Sequence, residues 1–246
     1  MYTIKLTSGR HLGMENMLRQ TPGGKGISEC GKYRFCIDDD FDTPDFWVVR
    51  NKYIKHKTTC TIAPENTILM LSEPRSVVAF PRHYCNQFAT LCSCQENMHH
   101  HNTIYMPAAL SWYVGINPAT NRLTANNISY DTLKNSPFPQ KTKLISVITS
   151  NKAHTQGHQD RIDFVRKLKQ HYGDQIDVFG RGINDFDDKW DVLAPYKYHI
   201  AIENSSSKYY WTEKLSDCYL AGTFPIYYGC TNTNDYFAAD AYRQID

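Results

Sequence analysis

Short apolar runs broken by polar turns, with one long amphipathic stretch among them, set the pattern of this chain. Leu144 to Thr149 is a β-branched run ending in the polar loop Ser150-Asn151-Lys152, which predicts a buried strand. From Gly157 to Tyr172, apolar side chains recur at Ile162, Val165, Leu168 and Tyr172 along one face of a predicted helix. Asp177-Val-Phe-Gly180 gives the next short strand. His199 to Ile202 has the mostly apolar character of a buried parallel strand, and Glu203, Asn204 and three serines end it. Thr212 suits the N-cap of a second helix, with Glu213 and Lys214 in its first turn. Gly222 stops that helix, and Phe224 to Tyr228 form the following strand. Upstream, strands are expected near Tyr2–Leu6, Phe46–Val49 and Ile68–Leu71. Pro81 to Gln95 is expected as a helix, and Thr103 to Tyr113 as an extended segment.

Strands alternating with helical stretches predict an α/β fold with parallel pairing. Ligands of open α/β sheets bind outside the carboxyl ends of the strands, so the loop from Glu203 to Thr212 falls where a site is expected. A helix start offers free N–H groups and a positive dipole end, which favour an anion such as a diphosphate. Lys214 adds a full charge, and Tyr209 and Tyr210 bring hydroxyl donors. Glu203 and Glu213 repel phosphate and suit hydroxyl groups of a sugar or ribose instead, so the set fits a nucleotide-sugar better than a free nucleotide. The same pattern also suits an ordinary βαβ crossover with a solvated loop.

Glu203-Asn204-Ser205, then Tyr210, Thr212-Glu213-Lys214, Ala221-Gly222-Thr223 and Pro225 stand in an order and spacing that resemble the donor-binding signature of the α1,3/α1,4-fucosyltransferases, glycosyltransferase family 10. The resemblance implies a GT-B-like α/β fold, two Rossmann-type domains facing a central cleft, with GDP-fucose as donor and inversion at the anomeric carbon. It implies donor contacts from Asn204, Tyr210, Glu213 and Lys214, and from the Ser150-Asn151 loop. An arginine of the family's first donor-domain helix reaches the diphosphate, and Arg161 is the positional match. Arg166 is expected on the solvated surface, and Arg181 is a weaker candidate for guanine or phosphate. Ile68 to Leu71 ends at Ser72-Glu73-Pro74, and a carboxylate at such a strand end is placed to take a proton from an acceptor hydroxyl. The family's general base matches Glu73.

On this basis residues 1–118 are expected as an acceptor-side domain, 119–140 as an irregular connection rich in Asn and Pro, and 141–246 as the donor domain. Family members continue past the point matching Asp246 with helices that close this domain, so it is expected to lack them here. A transferase using another nucleotide-sugar, or a nucleotide- or glycan-binding protein without turnover, are the alternatives.

Composition narrows this little. The 246 residues with 41% hydrophobic and 21% charged side chains describe an ordinary globular chain. A net charge of +2 gives no case for nucleic acid as partner. The partners expected are the donor and an oligosaccharide or lipid-linked glycan. No apolar run approaches the roughly 18 residues that span a bilayer, and the expectation is a cytoplasmic enzyme working at the periphery of a membrane. The eight cysteines form no C-x-x-C pair and read as reduced thiols. His99-His100-His101 is a poor metal site, because adjacent side chains rarely converge on one ion, and Asp38-Asp39-Asp40, which could also bind a divalent cation, reads rather as a polar turn after Phe35 to Ile37. No cofactor and no metal are expected, the diphosphate being held by the protein's own cations.

Overall fold

A computed structural model describes residues 1–8, 14–38, 41–51, 59–107, 111–149 and 156–246. They divide into two compact units, one of residues 1–111 and 129–134, the other of 112–128 and 135–246.

The first unit carries β1 (Tyr2–Ser8), α1 (Met14–Leu18), β2 (Tyr33–Ile37), β3 (Phe46–Arg50), β4 (Thr67–Leu71), α2 (Arg82–Cys85), β5 (Thr90–Ser93), β6 (Thr103–Tyr105) and the start of α3 (Tyr130–Asn135). Its six strands are all parallel in the order β2-β1-β3-β4-β5-β6. The apolar runs of β3, β4 and β5 supply the core: Val49, Leu69, Leu71 and Leu91 pack with Tyr84, Cys85 and Phe88. The helix expected over Pro81 to Gln95 is confined to Arg82–Cys85, and its second half is β5 instead. That strand pairs with β4 on one side and β6 on the other, and Leu91, Cys92, Ser93 and Cys94 are all buried. A strand buried on both faces shows no alternation, so its pattern mimics a buried helix. The turn expected at Asp38 to Asp40 is described only at Asp38, since Asp39 and Asp40 lie outside the described residues.

The second unit carries β7 (Lys143–Ile148), α4 (Gln156–Tyr172), β8 (Ile176–Phe179), β9 (Tyr196–Ile202), α5 (Glu213–Leu220), β10 (Phe224–Tyr228) and β11 (Arg243–Gln244). These strands are also all parallel, in the order β11-β10-β9-β7-β8. Val147, Val165, Ile176, Ile200 and Ile202 form the core, with Leu168 and Ile145 packed against it. Of the predicted face of α4, Val165 and Leu168 point inward, whereas Tyr172 is exposed and Arg161 is buried in its stead. Residues 112–128 are tied to this unit by Asp188, which is buried. Its carboxylate accepts from Gly115 N (2.8 Å), Trp190 N (2.8 Å) and Asn126 Nδ2 (2.8 Å), and from the Thr124 hydroxyl.

Both units are thus Rossmann-like, with parallel sheets whose strand order reverses next to the first strand. In the second unit the chain leaves β7 for β8 on one side and then places β9 on the other. The crevice between β7 and β9, at their carboxyl ends, is the topological switch point where such sheets bind ligands.

Candidate functional site: the cavity between β7 and β9

A cavity of about 210 Å³ opens at this switch point. Ile148 and Thr149 from the end of β7 and Ile202 from the end of β9 form its floor. Arg161 of α4, Lys189, and Glu213 and Lys214 of α5 bring the charges, and Tyr113, Ile116 and Pro118 complete the wall. Whole small-molecule pockets run to roughly 300–1,000 Å³, so this volume suits part of such a ligand rather than all of it.

Local chemistry explains why α5 begins here. Thr212 is the N-cap, its hydroxyl oxygen accepting from Lys214 N at 3.3 Å. Glu203, at the end of β9, is fully buried and accepts from Thr212 N and Thr212 Oγ1, both at 2.8 Å. The strand end and the helix start are therefore locked together. Room for the Glu203 side chain comes from Gly229, which has φ of +155° and where a Cβ would lie 2.4 Å from Glu203 Cγ. Gly157 plays the matching part on α4: a Cβ there would meet Asn204 O at 2.5 Å. Arg161, one turn further along, donates from Nη1 to Asn204 Oδ1 at 2.7 Å.

The electrostatics follow from burial and pairing. Lys214 Nζ lies 3.1 Å from Glu203 Oε2 and 3.7 Å from Glu213 Oε1. Burial alone disfavours its charge, but Glu203 and Glu213 outweigh that and raise its pKa above the usual lysine value. Burial likewise raises the Glu203 carboxyl, against the pull of Lys214. For Glu213 burial acts upward too, yet Lys214 and Lys189 together hold it below the ordinary carboxylate value, so it stays ionised. Burial moves the Arg161 guanidinium down from a very high starting point, with Glu203 opposing.

Of the residues expected at a donor site, Arg161, Glu213 and Lys214 line this one cavity, and Asn204 orients Arg161. Tyr210 is buried and its backbone carbonyl accepts from Tyr227 Oη at 3.5 Å. Ser150 and Asn151 lie outside the described residues. Glu73 stands in the first unit just beyond β4, half-buried, its carbonyl accepting from Gln95 Nε2 at 2.9 Å. Arg166 is on the surface with Asp163 at 2.8 Å, as expected, and Arg181 is exposed. All eight cysteines are free. Among the described residues no group of three or more His, Cys, Asp or Glu is arranged to hold a metal ion, and no helix is long and apolar enough to cross a membrane.

Sequence reading missed Lys189, His199 and Asp217. Asp217 follows Glu213 by one helical turn, which places it on the same face and was a usable signal. Lys189 had none, since 28 residues separate it from Asp217, its partner at 2.8 Å. His199 looked like part of an apolar strand. Its Nδ1 lies 2.8 Å from Ser146 Oγ, whose hydroxyl donates to Val192 O at 2.8 Å, and burial followed by the charge of Lys189 lowers its pKa to about 3.

A parallel sheet with a cationic cavity at its switch point and a helix start beside it is a Rossmann-like α/β unit, and two such units are the architecture of GT-B glycosyltransferases. The more particular resemblance also holds: the model of the glycosyltransferase family 10 (fucosyltransferase) C-terminal domain matches residues 138–246. An alpha-(1,3)-fucosyltransferase 4 of Bos taurus is 32% identical over 118 residues, 45% of this chain and 28% of that protein. The rat 4-galactosyl-N-acetylglucosaminide 3-alpha-L-fucosyltransferase 9 is 28% identical over 124 residues, 47% of this chain and 33% of its own length. The matched segment thus spans about a third of these curated relatives. A crystal structure of an alpha1,3-fucosyltransferase with GDP superposes with a TM-score of 0.56 at 18% identity, over 99% of this chain and 73% of that one, which establishes the shared GT-B fold.

Proposed function

We propose that this chain is an inverting α1,3-fucosyltransferase-like enzyme moving fucose from GDP-fucose to a hydroxyl of an oligosaccharide or lipid-linked glycan. The observation that carries the reading is the convergence of Arg161, Glu213 and Lys214 on one switch-point cavity inside the segment that matches the family's C-terminal domain. Arg161, Lys214 and the N–H groups opening α5 stabilise the charge that develops on departing GDP, a task suited to preorganised cations that need not reorganise during the step. Glu213, kept ionised by the two lysines, accepts from a ribose or fucose hydroxyl, and Asn204 holds Arg161 in place. Tyr210 supports the loop from within, and Ser150-Asn151 completes the donor contacts. Glu73 removes the proton from the acceptor oxygen as that oxygen displaces GDP from the anomeric carbon, so that one bond forms as the other breaks and the configuration inverts. Protein cations carry the diphosphate charge, and the reaction is proposed to run without metal or cofactor.

The test is release of GDP from GDP-fucose with and without a 4-galactosyl-N-acetylglucosaminide acceptor, the substrate named for the relatives. Acceptor-dependent GDP release that survives a chelator supports the proposal. Donor turnover with UDP-sugars but none with GDP-fucose contradicts it.

A further inference from the structure

Each cation lining the cavity has a polar partner that does not itself line it. Arg161 has Asn204, and Lys214 has Glu203, whose side chain has no exposed surface. Lys189 repeats the arrangement. Its Nζ lies 2.8 Å from Asp217 Oδ2, and the Asp217 side chain also has no exposed surface. Two backing carboxylates are thus hidden, while Lys189 and Lys214 are among the residues lining the cavity.

Geometry fixes what Lys189 can still do. Asp217 is itself held in place by Tyr113 N, 3.1 Å from each of its oxygens, so it cannot swing toward the cavity. Lys189 Nζ donates to Asp217 and, at 3.3 Å, to Glu213 O at the start of α5. An ammonium has three N–H bonds, and among the described residues these two acceptors use two of them. The backbone at Lys189 is set by the Asp188 cap of the short turn Lys189–Val192, where Asp188 Oδ1 accepts from Trp190 N. The neighbouring ring of His199, on the cavity wall, is neutral and does not compete for an anion.

We infer that Lys189 is a third anion-holding residue of this cavity, its remaining N–H directed at the diphosphate of a bound nucleotide, with Asp217 as its fixed counter-charge. The inference rests on the donor-cavity reading above. Lys189 also ties the opening of α5 to the turn after β8, so an anion bound there bridges two elements that are far apart in sequence.

Removing Lys189 alone would strand a buried carboxylate, so the pair is exchanged together as Lys189→Met/Asp217→Asn, two near-isosteric neutral groups. Calorimetry is run with GDP and with guanosine. A hydrogen bond to a charged group is worth enough that GDP affinity should fall about 10- to 100-fold, with guanosine binding changed less than about twofold. Lys189→Gln, which keeps a donor for Asp217, should give the same selective loss if the double variant does not fold. GDP affinity equal to wild type in a folded variant overturns the assignment, and so does an equal loss for guanosine and GDP. If Lys214→Ala still weakens GDP binding in that case, the donor reading stands and only the role of Lys189 falls. If wild-type protein binds no GDP, both fall together.

Discussion

Replacing Lys214 by Met separates what this residue does for the fold from what it does for the ligand. Its ammonium lies 3.1 Å from the carboxylate of Glu203, which has no exposed surface. At an effective dielectric near 20, two unit charges at that distance attract by about 5 kcal/mol, much of which offsets the burial of both. Taking away one partner leaves the other charge buried and uncompensated, which typically costs about 3–5 kcal/mol. Glu203 keeps its bonds from Thr212 and escapes part of that cost by taking up a proton, since its pKa is already raised by burial. The sign follows: Lys214→Met should be least stable at high pH and should recover as pH falls and Glu203 is protonated. Adding Glu203→Gln removes the stranded charge, so the double variant should regain most of the lost stability at pH 7. GDP affinity should stay low in both, because the cation facing the cavity is absent in both. Urea unfolding followed by fluorescence gives the first quantity and titration calorimetry the second. If Lys214→Met unfolds within about 1 kcal/mol of wild type, or if Glu203→Gln restores GDP binding, the assigned pairing is wrong.

Further outcomes bear on other parts of the molecule. Glu73→Gln should lower acceptor-dependent turnover by about 10²–10⁴ while leaving GDP affinity unchanged in calorimetry. His199 falls from an ordinary 6.5 to about 3 in the folded protein, so its contribution is complete above pH 6.5 and is lost as pH drops toward 3. Wild type should lose about 2–3 kcal/mol through this residue between pH 7 and 4.5, a loss absent from the unfolding curves of His199→Asn. Asp217 acts with opposite sign: burial first, against Lys189, raises its pKa to about 6, so its share of stability grows as pH falls from about 6 toward 3.8. Comparing acid unfolding of Asp217→Asn with wild type should show that growth removed. Asp188→Ala strips a buried acceptor from Gly115, Trp190, Thr124 and Asn126, and leaving these donors unsatisfied should cost about 3 kcal/mol or more in urea unfolding.

Much of the second unit was legible because its signals are local. The Thr212 cap, the αL glycine at 222 with φ of +63° and the apolar run of β10 each declare themselves within a few residues. The position of Lys214 beside the cavity followed from the helix start after β9. Glycines 157 and 229 were not legible, because their need arises from Asn204 and Glu203, residues distant along the chain. Lys189 was silent for the same reason. β5 was misread because burial on both faces erases the alternation that marks a half-buried strand. The inward turn of Arg161 was expected from resemblance rather than periodicity, since a helix-face pattern counts only apolar positions.

Everything proposed for function turns on whether the β7–β9 cavity binds guanosine diphosphate. Calorimetric titration of wild type with GDP, UDP and CMP, repeated on Arg161→Ala and Lys214→Ala, measures this directly. GDP should bind well above UDP and CMP, and its binding should be weakened at least tenfold in each variant. Preference for UDP, or GDP affinity untouched by both substitutions, would contradict it.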